Sequence, residues 1–288
     1  KVLPEGAETQ EISWKLNASA FAINDNGLLT LMHKGTLILT VTVGDISKTH
    51  EIVIKEAVAK IGDNKFETIE DAILEAEDND TIEILKDINE KFTINKSNLN
   101  LKGVNQNITI TNVITLSTNI ENIKIENLTF TGNAQITKVG TLKGFTFENN
   151  IIFDTNLEPS QYAPNSRIDV NAIIRLYTGS GANQVGDITI TNNKFYNIKS
   201  DIISIDRTMA NTEINISNNE FKNFGVGAIR FDGGYNNGTY NIKSNNFEND
   251  ELSAYSAIIF RAYAPNDGIQ SINIEDNTFV KIGNLEDI

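Results

Sequence analysis

The sequence predicts an all-β chain whose larger part winds into a right-handed parallel β-helix with a capping helix at its start, preceded by a small β-sandwich module. Three observations predict it. A short alternating phrase recurs six times between Ile123 and Ile282, a second family of apolar strands lies between the copies, and a lone amphipathic helix precedes them all.

The phrase reads IKIENLTF (123–130), FTFENNII (145–152), ITITNNKF (188–195), INISNNEF (214–221), YNIKSNNF (240–247) and INIEDNTF (272–279). Its starts are 22, 43, 26, 26 and 32 residues apart, which suits stacked coils carrying loops of different length rather than packed helical repeats. Apolar and polar residues alternate with period two, the mark of a strand showing one face to a core. A polar pair then turns the chain. Its second member is Asn150, Asn193, Asn219, Asn245 or Asn277, and Asn tolerates the positive φ that such a bend requires. Stacked at the roughly 4.8 Å strand spacing, these side chains are expected to hydrogen-bond along the stack as a ladder.

The second strand family comprises AIIRLY (172–177), IISID (202–206), AIRFD (228–232) and AIIFR (257–261). Each coil therefore holds two strands and a shorter one around the Phe. At the entrance, Ile69, Ala72, Ile73 and Ala76 fall at i, i+3, i+4 and i+7, so residues 67–77 read as one amphipathic helix. Asp78-Asn79-Asp80 stops it and Thr81 to Leu85 reads as the first strand. A helix laid over the first coil covers an otherwise open edge. With these repeats, residues 57–288 resemble the pectin-lyase-like superfamily and its parallel β-helix repeats, a likeness that implies the fold and says little about activity. The coils are expected to continue past the C-terminus.

Residues 1–56 follow another pattern, with alternating strands, an Asn-Gly turn at 26–27 and a Lys-Gly turn at 34–35. Through Trp14, Ala22, Ile23, Asn26, Gly27, Lys34, Gly35 and Thr36 this segment resembles the bacterial Ig-like domain of group 2. The likeness implies a sandwich whose first strands precede Lys1, with Trp14 packed in it. Further domains of the same polypeptide are expected at both ends.

Composition narrows the classes. The chain has no Cys, so neither disulfides nor thiolate-bound metal hold it together. A net charge of −14 argues against nucleic acid or anionic lipid as partner, because both demand clustered Lys and Arg. No apolar run approaches the ~20 residues that span a bilayer, so membrane insertion is not expected. Abundant Asn, Ile and Lys without Cys fits a Gram-positive source. With the two resemblances, the expected location is extracellular, on the cell surface or secreted.

Chemistry in such a coil must use outward side chains. If Leu176, Ile205, Phe231 and Phe260 point inward at equivalent positions, then Arg175, Ser204, Arg230 and Ile259 point outward just before them. Tyr177, Asp206, Asp232 and Arg261 do so just after, with Arg207 and Tyr263 at the strand ends. Four of the chain's five arginines fall on this face. Arg175, Tyr177, Arg207, Arg230, Arg261 and Tyr263 are therefore the expected ligand-binding set. Guanidinium groups chelate carboxylate or sulfate, and Tyr rings stack on sugars, so an acidic polysaccharide, from a host or a cell wall, is the expected partner. Loops at 154–171, 178–187, 232–239 and 263–268 are expected beside that face, the first of them carrying Tyr162 and Arg167.

Asp206, Asp232 and Arg230 are the candidate catalytic residues. Adjacent rungs put the two carboxylates about 5 Å apart at Cα. That spacing suits acid and base in glycoside hydrolysis or a calcium site, and a base with a neutralising Arg suits β-elimination from a uronate. Residues 201–234 resemble alginate and chondroitinase-type lyases of this fold, but Asp206 stands where those enzymes have a Lys base. The same residues also suit plain cross-strand ion pairs. No cofactor or metal is expected, calcium being left open. His33, His50 and the Asx clusters at 24–26 and 78–80 read as strand or turn residues. The expected function is surface adhesion or surface-layer architecture with carbohydrate contact through the Arg/Asp/Tyr face. The alternative is a polysaccharide lyase or glycoside hydrolase.

Overall fold

The structure, a computed structural model, describes residues 11–17, 21–23, 29–31, 35–158, 171–176, 184–233, 236–249, 256–261 and 268–282. The chain divides into two compact units, Lys1–Glu56 and Ala57–Ile288.

In the first unit the strands Ile12–Leu16, Gly35–Val43 and Ile46–Ile54 form an antiparallel sheet with Gly35–Val43 in the middle. Gly44, at φ 58°, supplies the positive φ of the tight turn that closes the last hairpin. Phe21–Ile23 pairs antiparallel with Leu29–Leu31. The expected Asn-Gly turn at 26–27 and Lys34 lie outside the described residues. Leu37 is fully buried and Trp14 half-buried opposite Val41.

The second unit is built from three long parallel sheets in a β-helix-like stack. The first sheet has ten strands. Its hairpin Ala59–Ile61 and Asn64–Phe66 joins antiparallel, and eight parallel rungs follow, from Thr81–Ile84 to Gly268–Glu275. The second sheet runs in seven strands from Thr109–Ile110 to Thr278–Val280, and the third in seven from Phe92–Ile94 to Ser256–Arg261. The chain visits first, second and third sheet in turn, so each phrase lies one rung beyond the last. Ile123, Phe145, Ile188, Ile214, Tyr240 and Ile272 are successive register partners.

Alternation explains the core. Through the copy at 240–247 the phrase's two apolar residues fill the interior of the first sheet and its terminal Phe or Ile fills that of the second, while in the last copy Ile272, Ile274 and Phe279 are exposed. Phe195, Phe221, Phe247 and Phe279 stack with ring centroids 4.9, 4.9 and 5.0 Å apart and planes within 5° of parallel, which is the strand spacing expressed in side chains.

The helix spans Ile69–Glu75, shorter at both ends than its periodicity suggests. The Thr68 side chain caps it by accepting from the Asp71 N–H at 3.0 Å. It buries Ile69, Ala72 and Ile73 against the first strands of the stack. Lys96 donates its ammonium to the Leu74 and Ala76 carbonyls, satisfying groups that the helix end leaves without partners.

The polar pair divides its work differently from the sequence reading. Positive φ falls on the first member, at Asn127 (58°), Asn149 (56°), Asn192 (57°), Asn218 (55°), Ser244 (57°) and Asp276 (55°). The second member keeps an ordinary backbone and turns its side chain inward, because the corner breaks the sheet's own ladder and leaves main-chain groups to be satisfied. Asn219 shows the pattern. Its Oδ1 accepts from the Asn193 main-chain N–H at 2.9 Å and from Asn193 Nδ2 at 3.0 Å, and its Nδ2 donates to the Ile190 carbonyl at 2.8 Å and to Asn245 Oδ1 at 3.0 Å. Asn150, Asn193, Asn219 and Asn245 are buried. Leu128 holds the position one rung earlier, so the column begins at Asn150, whose Oδ1 accepts from the Leu128 N–H at 2.9 Å.

The two Asn of a pair should therefore respond differently to mutation. Asn219→Ala leaves several buried groups without partners and is expected to lower the unfolding free energy by about 3–5 kcal/mol. Asn218→Ala only replaces a residue that tolerates the left-handed region with one that tolerates it less well, at about 1 kcal/mol, and Asn218→Gly should be near neutral. Urea unfolding followed by circular dichroism checks this, and equal losses at the two positions would refute the division of roles.

Candidate functional site

Two rows of the third sheet organise the site. The inward row is Ile94, Leu116, Lys138, Leu176, Ile205, Phe231 and Phe260, and the outward row beside it is Thr115, Thr137, Arg175, Ser204, Arg230 and Ile259. Arg175, Ser204, Arg230 and Ile259 thus stand in the register read from the sequence. One step along the strands, Asp206 pairs with Asp232 and Asp232 with Arg261.

The outward face is not open. Ser204, Asp206, Arg230 and Asp232 are each at most 4% exposed. Arg230 sits between two carboxylates, with Nε 2.7 Å from Asp232 Oδ2 and Nη1 3.5 Å from Asp201 Oδ2. Arg261 Nε lies 3.8 Å from Asp232 Oδ1, and Arg207 Nε donates to Asp206 Oδ2 at 3.2 Å. Arg207 and Arg261 keep 25% and 26% of their side chains exposed, and Arg175 is half-buried, so these three form the accessible rim. Arg207 itself has φ 57°, a conformation its equivalent one rung on, Gly233, adopts without strain. Tyr177 and Tyr263 lie outside the described residues, as does most of the loop sequence expected beside them, including Tyr162 and Arg167.

Two members were missed in the sequence. Lys138 occupies an inward position in a column of Ile, Leu and Phe, is 4% exposed, and donates to the Gly140 carbonyl at 3.1 Å. Its signal was the break in that column, since Ile136 keeps the apolar parity and the residue two on does not. Asp201 is the register partner of Ala172 and is likewise buried. Its signal was again a break in parity, since Asp201 shares the inward parity of Ile203 and Ile205, and apolar Ile202 falls on the outward one.

Burial sets the electrostatics. It pushes Asp206 up to about 6, against the pull of Arg207 and with Asp232 adding to the rise. It pushes Asp201 up to about 6 as well, against Arg230. Lys138 is driven down to about 8, mainly by burial, with Asp206 opposing and Arg207 assisting. Three groups of one cluster thus titrate near neutrality. The Asp201 Oδ1, Ser204 Oγ and Asp232 Oδ1 atoms are buried without a hydrogen-bond partner. Among the described residues no group of His, Asp or Glu is placed to hold a metal, and no helix is long and apolar enough to cross a membrane. The cluster can hold a proton on Asp206 or Asp201 near pH 6 and can present guanidinium groups at its rim.

Fold and cluster together define an all-β protein of stacked parallel sheets carrying a buried Arg–Asp–Lys network on one of them. Compared with protein-family models, with curated proteins and with solved structures, the chain finds no match.

The cluster makes a signed prediction. A carboxyl whose folded pKa lies above its unfolded value, about 4, binds its proton more tightly when folded, so it removes stability as pH rises from about 4 to about 6. Asp201 and Asp206 both act in this sense. The melting temperature is expected to be higher at pH 5 than at pH 7, and the difference to shrink in Asp206→Asn. Scanning calorimetry at both pH values measures it, and an unchanged difference in the variant would remove Asp206 from the network.

Proposed function

We propose that the chain is an extracellular segment of a bacterial surface protein. In this reading a group 2 Ig-like module precedes a right-handed parallel β-helix of the pectin-lyase-like kind, serving adhesion or surface-layer architecture with carbohydrate contact. The observation that carries it is the state of Arg230, which is 4% exposed and held between Asp201 and Asp232. A guanidinium engaged in this way braces the wall, and contact with an acidic polymer falls to the rim of Arg175, Arg207 and Arg261. Stacked sheets with exposed polar rows suit a stiff surface element whose ligand lies along the outside.

A polysaccharide lyase or hydrolase is the second reading, favoured by one observation. Asp206 at about 6 and Lys138 at about 8 are poised to exchange protons near neutral pH.

Binding and turnover separate the two. The purified chain is expected to bind polyuronate or sulfated polysaccharide, and the double variant Arg207→Ala with Arg261→Ala to lose at least about tenfold in affinity, roughly 1.4 kcal/mol. Incubation with the same polymers is expected to give no rise in ultraviolet absorbance from unsaturated product and no new reducing ends. Turnover abolished by Asp206→Asn would replace architecture with catalysis.

A further inference from the structure

A second wall of the stack has the makings of a binding surface. On the outer face of the second sheet Phe153 pairs in register with Tyr196, and Tyr196 with Lys222. Phe153 is 36% exposed, and it is the only described Phe between the capping helix and the last rung that is so exposed. The Tyr196 hydroxyl donates to Glu220 Oε2 at 2.6 Å, which ties the Tyr196 side chain to the outer face of the next rung. Next to this pair runs a groove of ≈450 Å³ lined by Asn192, Asn218, Ser244, Lys194, Glu220 and Asn246. Asn192, Asn218 and Ser244 are the exposed left-handed residues of three successive corners, so their polar side chains repeat at the strand spacing.

We propose that this wall binds an uncharged, β-1,4-linked glycan chain, with Phe153 and Tyr196 as its stacking platform and the groove as its hydrogen-bonding edge. The inference rests on the reading of the chain as a carbohydrate-contacting surface segment, and it moves the contact away from the arginine rim. Charge selects the ligand class. Lys222 is matched by Glu248 at 3.2 Å and Lys194 lies across a rung from Glu220, so the wall offers no net charge to a polyanion. An exposed ring flanked by amides suits a molecule with apolar C–H faces and hydroxyl edges, which is the surface of a pyranose. The parallel strands make the wall extended, so a ribbon-like β-1,4 chain fits along it better than a coiled α-linked one.

Titration calorimetry with soluble hexamers of β-1,4-linked glucose and of β-1,4-linked N-acetylglucosamine tests this. At least one hexamer is expected to bind with Kd near or below about 1 mM. Phe153→Ala should weaken it at least tenfold, with at most a modest drop in melting temperature and unchanged circular dichroism, since that ring lies on the outer face and is 36% exposed. Tyr196→Phe should stay within about threefold and Tyr196→Ala should match Phe153→Ala. Arg207→Ala with Arg261→Ala should leave hexamer binding unchanged. Absence of binding by both hexamers, or binding that survives Phe153→Ala and Tyr196→Ala, overturns the proposal. An acidic polymer that still binds through the arginine rim would then leave the broader reading standing.

Discussion

The buried asparagine column is the interaction on which the second unit depends. A parallel stack satisfies its strands through the sheets, but every corner breaks the ladder and leaves an N–H and a C=O facing an apolar interior, where each unpaired group costs about 1–3 kcal/mol. An Asn side chain can accept from one and donate to the other while also joining its neighbour above and below. Asn193 does so, taking the Asn150 N–H at 2.9 Å and giving to the Phe147 carbonyl at 2.9 Å. Because the amide spans adjacent rungs, it fixes their register as well as their hydrogen bonding. The Phe column and the rows of the third sheet inherit that register. This is why 26 and 43 residues per coil are equally compatible with the stack, since closing a longer loop adds only a few tenths of a kcal/mol.

Alternation made the interior legible. Ile190, Ile216 and Ile242 could be assigned inward from the sequence, and with them the outward register of Arg175, Ser204 and Arg230, because a period of two admits one choice of face once a core exists. The polar pair was legible as a corner but not in its parts. Asn suits both the left-handed residue and the inward amide, and composition does not separate the roles. Ser244 and Asp276 at the first position hold the clue, because neither could replace the bridging amide, and both occur where only backbone conformation is demanded. Burial of the arginine face was not legible at all. Period two states which side a residue faces, and it is silent on whether that side meets water.

The cluster that results is a compromise. Moving Arg230, Asp201, Asp206 and Asp232 out of water opposes folding, and their mutual attraction offsets that only where geometry is good. It is good at Arg230 Nε and Asp232 Oδ2, 2.7 Å apart, and poorer at 3.5 Å toward Asp201, whose carboxyl burial pushes up; each of these two carboxylates keeps one buried oxygen without a hydrogen-bond partner. Lys138 adds an ammonium in an apolar column. Packing alone would be served better by Leu at that point, so the lysine is retained against the stability of the column. Its counterweight is Asp206, whose negative charge raises the lysine while burial lowers it.

Charge also separates the two surfaces through which a glycan would be held. The chain carries −14, so a polyanion approaching the arginine rim meets the repulsion of the surrounding acidic surface once it comes within about 8 Å, the screening length at physiological ionic strength. Attachment there must come from short-range contacts with Arg207 and Arg261, both already engaged with Asp206 and Asp232, and each guanidinium turned toward a ligand weakens the pair that orients it. The Phe153–Tyr196 wall has no such conflict. An uncharged polymer feels no long-range repulsion, and the Tyr196–Glu220 hydrogen bond that orients the ring leaves both ring faces unchanged. Contact along that wall therefore adds to the stack's stability, whereas contact at the rim competes with it.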